Sequence, residues 1–228
     1  MNASRSTKPL YIVLMGMQGA GKGTQAEELT LWLGIPHVTS GGMFRAIMAS
    51  GSALGQQIKA IYDKGHLIPD DLTIEMIKGR LMQPDAKEGV ILDGFPRTVP
   101  QAEALTLLLE SMGAQVAVVP YFVISEEQAL IRLGGRRVCT HNDNHIYHII
   151  YDPPKTEGVC DIDGAPLKIR KDDQPEAIKE RIQAFKRDTA PVLDYYDKLG
   201  LLREINGEQP IDHVTALVKS EIEKVRGS

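Results

Sequence analysis

"GMQGAGKGTQ", residues 16–25, decides how the rest of the chain is read. Glycines at 16, 19, 21 and 23 surround a single lysine, Lys22. A loop of this kind lets successive backbone N–H groups turn toward a phosphate, and a helix that follows presents its positive end to the same anion. The commoner form of such a loop carries Ser or Thr directly after the lysine. Here Gly23 stands in that place and Thr24 comes one residue later, so the reading depends on what flanks the loop.

The flanks agree with a phosphate loop. "LYIVLMG", residues 10–16, is an unbroken apolar run of the sort found in a strand buried on both faces. After the loop, Ala26, Leu29 and Leu33 recur at helical spacing and Gly34 closes the pattern. Two further apolar runs, "VILDG" (90–94) and "VAVVPYFVI" (116–124), are each followed by helical signals: Pro100 opens one helix, and Ser125 with Gln128 reads as a capping box for the next. Strands alternating with helices predict an α/β, doubly wound parallel sheet, with its ligand at the carboxyl ends of the strands.

Two regions break the alternation. Residues 39–68 read as short helices with Gly41, Gly42, Gly51, Gly55 and Gly65 between them. Residues 135–173 are rich in turn formers, with β-branched residues around 146–150, and read as a small β subdomain. The chain of 228 residues carries 26 basic and 30 acidic residues, a formal charge of −4, which argues against a protein that lives on a nucleic acid backbone. No apolar run is long enough to span a membrane, and "MNASRSTKP" lacks the apolar core of a signal peptide, so a soluble, cytoplasmic protein is expected, with its first nine residues a disordered leader. Two cysteines, Cys139 and Cys160, are too few for a disulfide framework and read as thiols or metal ligands.

Three groups of residues carry chemistry. In the opening loop, Lys22 supplies a full charge to a transferring phosphoryl group, and Thr24 can set its hydroxyl beside a magnesium ion. Asp93 ends the second apolar run in "LDGFPRT" (92–98), where an acid can hold magnesium through water; taken alone it is equally a helix cap. Arg45, Arg97, Arg132, Arg136, Arg170 and Arg181 form the third group, suited to phosphoryl transfer because planar guanidinium forks stabilise charge on phosphate oxygens.

Taken in order, "GAGKGTQ", "TSGGMFRA", "ILDGFPRTVPQAEAL", "GRRV", "YHIIYDPPKTEG" and "RKDDQPEAIKERI" resemble the motifs of adenylate kinases of the long-lid type, over nearly everything from Tyr11 to Val214. In that family the glycine between lysine and threonine is the normal loop. The resemblance implies a P-loop domain with a five-stranded sheet over 10–38, 69–134 and 174–228, an AMP-binding insertion at 39–68 and a lid at 135–173. It implies magnesium-dependent, reversible transfer of the terminal phosphate of ATP to AMP, giving two ADP and serving adenine nucleotide balance, by an enzyme expected to be monomeric with no nucleic acid or membrane partner.

Carried over by position, the resemblance assigns Gly19, Ala20, Gly21, Lys22, Gly23 and Thr24 to the ATP phosphates, Arg132 to the ATP base, Ile146 and Tyr147 to ATP from the lid, and Gln209 to the base through its backbone. Thr39, Ser40, Arg45, His66, Leu67, Ile68, Gly94, Phe95, Pro96 and Arg97 would line the AMP pocket, and Gln101 would read its base. Arg136, Arg170 and Arg181 would clamp phosphates as the lid shuts, the last two reaching AMP as well, and these three with Lys22, Asp93 and Arg97 form the expected catalytic set. Two departures stand out: Gln18, where relatives have a small residue, and Gly42, where they have an acid, which leaves Asp93 more of the magnesium duty.

Several long-lid relatives hold a structural zinc on four lid residues. Cys139, Cys160 and Asp163 fit three of those places; Asn142, a poor ligand, falls at the fourth, in a turn one residue longer than usual, so that His141, Asp143 or His145 could substitute. A lid without metal is the alternative. Other enzymes fit less well: the lid length speaks against a UMP/CMP kinase, while a GTP-using AMP kinase differs in donor-base contacts the sequence does not display. A GTPase switch lacks its N-K-x-D motif here, and a zinc-ribbon nucleic-acid module should be basic and aromatic, whereas this chain is acidic with one Trp.

Overall fold

In a computed structural model of the chain, residues 9–226 are described. The expected leader therefore lies, but for Pro9, outside the described residues. The order is β1 (Leu10–Gly16), α1 (Lys22–Leu33), β2 (His37–Thr39), α2 (Ser40–Ala49), α3 (Ala53–Tyr62), α4 (Asp70–Leu81), β3 (Gly89–Asp93), α5 (Val99–Ser111), β4 (Val116–Val123), α6 (Glu126–Gly134), β5 (Arg136–Cys139), β6 (Ile146–His148), β7 (Leu167–Lys168), α7 (Pro175–Ala184), α8 (Ala190–Lys198), β8 (Leu202–Asn206) and α9 (Ile211–Arg226). A π-helical turn, Phe185–Thr189, joins α7 to α8.

The main sheet has five strands in the order β2-β3-β1-β4-β8, every pair parallel. Because strand side chains alternate between faces, β1 feeds two separate cores. Ile12 and Leu14 pack with Leu29, Leu133, Ile182 and Val218 of α1, α6, α7 and α9. Tyr11, Val13 and Met15 pack with Ile77, Leu105, Val192 and Tyr196 of α4, α5 and α8. This is the doubly wound arrangement the apolar runs predict. Order reverses at β1, whose neighbours are β3 and β4, so the crevice beyond its carboxyl end is where a ligand belongs.

The two interruptions leave the sheet as expected but differ in detail. Gly41, Gly42 and Gly55 lie inside α2 and α3 rather than between them. The reason at Gly55 is close packing: a Cβ there would meet Ile47 O at 2.5 Å, so α3 can sit on α2 only where the side chain is missing. The 135–173 region is a three-stranded antiparallel sheet in the order β6-β5-β7, and its β-branched run is strand only as far as His148. Each region has a core of its own, Phe44, Ile58 and Ile68 in the first and Cys139, Tyr147, Cys160 and Ala165 in the second.

The capping box at α6 is half made. Ser125 Oγ accepts from Gln128 N at 3.2 Å, but the Ser125 N–H donates to Glu208 Oε1 at 2.7 Å, not to Gln128. A carboxylate from the far end of the chain therefore replaces the expected local acceptor, tying the loop after β8 to the start of α6. Among the described residues no helix is long and apolar enough to cross a membrane.

One core residue gives a test of the packing. Tyr196 is fully buried, burial pushes its phenol pKa up, and its hydroxyl has no hydrogen-bond partner among the described residues. An unsatisfied buried hydroxyl is a liability that phenylalanine lacks. Tyr196→Phe should leave the thermal unfolding midpoint unchanged or raise it; a loss above about 1 kcal/mol in denaturant melts would mean that the hydroxyl has a partner.

Candidate active site

The carboxyl ends of β1, β3 and β2 bring the phosphate loop, Asp93 and Thr39 to one edge of the sheet, with Thr39 in register with Asp93. Gly19 and Gly21 have φ of +83° and +89°, which L side chains rarely adopt, so the loop's tight turn requires glycine at both places. Gly21 caps α1 with no side-chain acceptor, leaving the first helical N–H groups facing outward for an anion. Lys22 folds back across the loop, its Nζ donating to Gly16 O at 2.7 Å and Met17 O at 2.9 Å. Burial lowers its pKa to about 8; Asp93 opposes the shift, while Arg97, Arg181 and Arg136 reinforce it.

Residues far apart in sequence thus converge on Lys22. Arg97 donates from Nε to Gly94 O at 2.8 Å. Gly94 itself is held to φ +75°, and a Cβ there would meet Arg97 Nη2 and Ser40 Oγ, each at 2.9 Å; Ser40 Oγ donates to Gly94 O at 2.6 Å. Arg97's pKa is depressed by burial and then by Arg181. Arg170's falls to about 10 through burial and then the charges of Arg136 and Arg45, and its Nε has no partner among the described residues. A buried cationic donor without an acceptor, among other cations, marks a place for an anion.

The sequence reading missed the acids that hold these cations. Asp173 is buried and takes Arg136 as a two-bond fork, Nε to Oδ2 at 2.8 Å and Nη2 to Oδ1 at 2.6 Å. Arg181 Nη1 lies 3.0 Å from Asp173 Oδ1 and 3.1 Å from Asp172 Oδ2, and donates to Asp172 O at 2.8 Å. Burial disfavours the charge on Arg136, but Asp173 outweighs it and leaves the pKa raised. Asp172 is likewise kept ionised against burial by Arg181 and Arg136. The paired acids in "RKDDQ" (170–174), set between arginines, are the signal that was available.

A cleft beside these groups is lined by Ser40, Phe44, Tyr62, His66, Leu67, Ile68, Gly94, Arg97, Gln101 and Arg181. Gln101 is fixed at both ends of its amide: Oε1 accepts from Arg97 N at 2.8 Å, and Nε2 donates to Asp70 Oδ1 at 2.7 Å. Asp70 also accepts from Thr98 Oγ1 at 2.8 Å, and it too escaped the sequence reading. His37 Nε2 stands 3.5 Å from Asp93 Oδ2, an ion-pair contact outside hydrogen-bond geometry. Burial raises the pKa of Asp93, yet His37 and Lys22 outweigh it, so the carboxylate stays ionised, as a magnesium-facing group must.

Other assigned residues fall as follows. Arg132 bridges the loop and the β8–α9 connection, donating to Gly19 O at 3.3 Å and Gly207 O at 2.9 Å. Gln209 has a buried Oε1 without a partner among the described residues. Ile146 is exposed, but the Tyr147 ring points into the core of the small sheet, its hydroxyl accepting from Asp161 N at 2.8 Å, and its backbone is paired with Arg137 of β5. At Gly42, a Cβ would meet Thr39 Cγ2 at 2.8 Å, so the Thr39 methyl fills the space an acid's Cβ would need.

In the small sheet, ligand atoms of Cys139, His145, Cys160 and Asp163 all lie within 4.8 Å of one another. Cys139 Sγ is 3.3 Å from Asp163 Oδ1, and His145 Nδ1 is 3.3 Å from both Cys160 Sγ and Asp163 Oδ2. Two sulfurs, an imidazole nitrogen and a carboxylate oxygen suit tetrahedral zinc. Of the three candidates for the fourth place, His145 is brought in. Asn142 Nδ2 sits 3.1 Å from His145 Nε2, Asp143 turns away to Arg45 and Lys168, and His141 touches Cys139 Sγ through its backbone N–H.

Residues 14–201 match the family model described as adenylate kinase. The chain is 45% identical over 217 residues to an adenylate kinase of Shouchella clausii (strain KSM-K16), covering 95% of this chain and all of that relative. It is 43% identical over 206 residues to one of Staphylococcus aureus (strain Mu50 / ATCC 700699) and 42% identical over 206 to one of Staphylococcus epidermidis, each covering 90% of this chain and 95% of the relative.

The lowered pKa of Lys22 makes a measurable demand. A depressed lysine pKa means that the charged form is lost as the pH rises through about 8, and a phosphate placed beside Nζ restores it. Polyphosphate binding at pH 8 should therefore take up about half a proton. Calorimetric titrations with ATP in buffers of different ionisation enthalpy measure this directly; zero uptake or net release contradicts the assignment.

Proposed function

The chain belongs to the adenylate kinase family and is an ATP:AMP phosphotransferase; on that premise, we propose how its residues divide the work. The reading is carried by one observation: Arg97, Arg136 and Arg181, from three separate segments of the chain, lie close enough to Lys22 to lower its pKa. Residues 10–38, 69–134 and 174–228, of which 227 and 228 lie outside the described residues, make up the core, 39–68 receives AMP, and 135–173 is the lid.

The loop from Gly19 to Thr24 cradles the ATP phosphates with backbone N–H groups, and Lys22 leaves its two carbonyl partners for phosphate oxygens. Arg132, already fixed to Gly19 O and Gly207 O, lays its guanidinium beside the donor base. On the other side, Arg45, Arg97 and the Ser40–Gly94 contact frame the AMP phosphate, while Gln101, oriented by Asp70 and Arg97 N, faces its base. Asp93, ionised beside Lys22, fits the magnesium of the bound nucleotide, with the Thr24 hydroxyl near it. That ion, when bound, neutralises charge across the donor phosphates.

The acceptor is itself a phosphate oxygen, already ionised, so no general base is required. The work is alignment of donor and acceptor and stabilisation of charge on the phosphoryl group in flight. Arg136 and Arg181 come to it held by Asp173 and Asp172, so their forks need little reordering. Closure of the lid carries Arg136 and Arg170 inward and excludes water, which would otherwise accept the phosphate. Cys139, His145, Cys160 and Asp163 would hold a structural zinc, which would stiffen the lid.

Four outcomes follow. ADP should form only when AMP accompanies ATP, and Arg97→Ala should slow transfer by on the order of a hundredfold; a loss under about threefold removes Arg97 from its role. Protein purified without chelator or histidine tag should carry about one zinc per chain. His145→Ala should lose that zinc while Asp143→Asn retains it; a stoichiometry near zero in the unmodified protein ends the zinc reading.

A further inference from the structure

Two ion pairs cross from the lid to the AMP-binding insertion, and they run in opposite senses. Asp143 Oδ2 of the lid stands 3.5 Å from Arg45 Nε of α2, and Lys171 Nζ of the lid stands 3.8 Å from Asp63 Oδ2 of the insertion. Asp143 is the more fully engaged of the two lid residues. Its Oδ1 pairs with Lys168 Nζ at 3.2 Å, and its backbone carbonyl accepts from Arg170 Nη2 at 3.0 Å. One residue of the β5–β6 turn thus touches Arg45, Lys168 and Arg170, and two of these are assigned above to the AMP phosphate.

Arg45 is correspondingly committed. Its Nη1 donates to Tyr62 OH at 3.0 Å and its Nε faces Asp143. A phosphate taken in the two-bond manner that favours arginine needs one whole edge of the guanidinium. The edge that includes Nε is shared with the Asp143 carboxylate, and two anions on one guanidinium repel.

We propose that Asp143 is an internal counter-anion for the AMP-phosphate site: its carboxylate holds Arg45 as the lid turn meets the insertion, and the incoming phosphate must displace it. A lid residue thereby sets affinity for AMP and not for ATP. The inference rests on the assignment of Arg45 to the AMP phosphate. With Arg45 21% and Asp143 34% exposed, the pair is partly screened, and its effect is modest.

The test is calorimetric titration of AMP into the full-length protein with β,γ-methylene-ATP bound. Asp143→Asn and Asp143→Ser should lower the Kd for AMP about threefold to fivefold and leave that of the ATP analogue unchanged. An AMP affinity that is unchanged or weakened overturns the proposal. Lys168→Met supplies an independent reading of opposite sign: deprived of one cation, Asp143 leans harder on Arg45 and AMP should bind about twofold more weakly, whereas unchanged or tighter binding counts against it. Arg45→Ala, run in parallel, separates the two layers. If it leaves AMP affinity intact, the assignment of Arg45 fails and takes the proposal with it; if it weakens AMP while the Asp143 variants change nothing, only the proposal fails.

Discussion

The architecture depends on keeping several cations together in a site that excludes water. Two like charges 4 Å apart repel by about 4 kcal/mol at an effective dielectric of 20, and burial adds a further penalty to each. The depressed pKa values of Lys22, Arg97 and Arg170 are the signature of that cost. Asp172 and Asp173 offset part of it by neutralising Arg136 and Arg181 from within the chain. The acids meet part of the demand; on the proposed assignment, the phosphates of two nucleotides would meet the rest. A cleft built this way favours the bound, closed state because only substrate completes its charge balance.

The scaffold explains why these cations arrive from so many places. The phosphate loop, Asp93 and Thr39 are delivered by neighbouring parallel strands, whose registers fix them within the rigid sheet. Arg136, Arg170 and Arg181 arrive from the lid and its return helix, where the hydrophobic core is only Cys139, Tyr147, Cys160 and Ala165 with Leu167 against it. So small a core is a poor support for a moving element, and a four-ligand metal would supply the missing rigidity. On the proposed reading, the small sheet would then travel as a unit.

Local chemistry was legible in the sequence and through-space pairing was not. The loop around Lys22, the apolar runs of β1, β3 and β4, and the Pro100 helix start are each set by a few adjacent residues, so periodicity and turn chemistry were enough to find them. Asp70 and His37 lie 31 and 56 residues from Gln101 and Asp93, the groups they touch, and only the folded chain shows those contacts. Glu208 illustrates the same point at Ser125, where a distant carboxylate displaces the local partner that the motif predicts. In the candidate metal cluster, the family resemblance supplied three ligands. It could not supply the fourth, because the 140–145 turn offers His141, Asp143 and His145 in succession and only its curvature turns His145 inward. At Gly42 the missing acid looked like a simple loss, whereas in the structure the Thr39 methyl occupies the space its Cβ would need.

The most direct measurement is a crystal structure of the enzyme with a bisubstrate inhibitor in which two adenosines are joined through five phosphates. The account predicts Lys22 Nζ and the guanidinium groups of Arg97, Arg136, Arg170 and Arg181 within about 3 Å of oxygens along that one phosphate chain, with Arg136 still forked on Asp173. Both adenosines seated with those side chains turned out to solvent would contradict it.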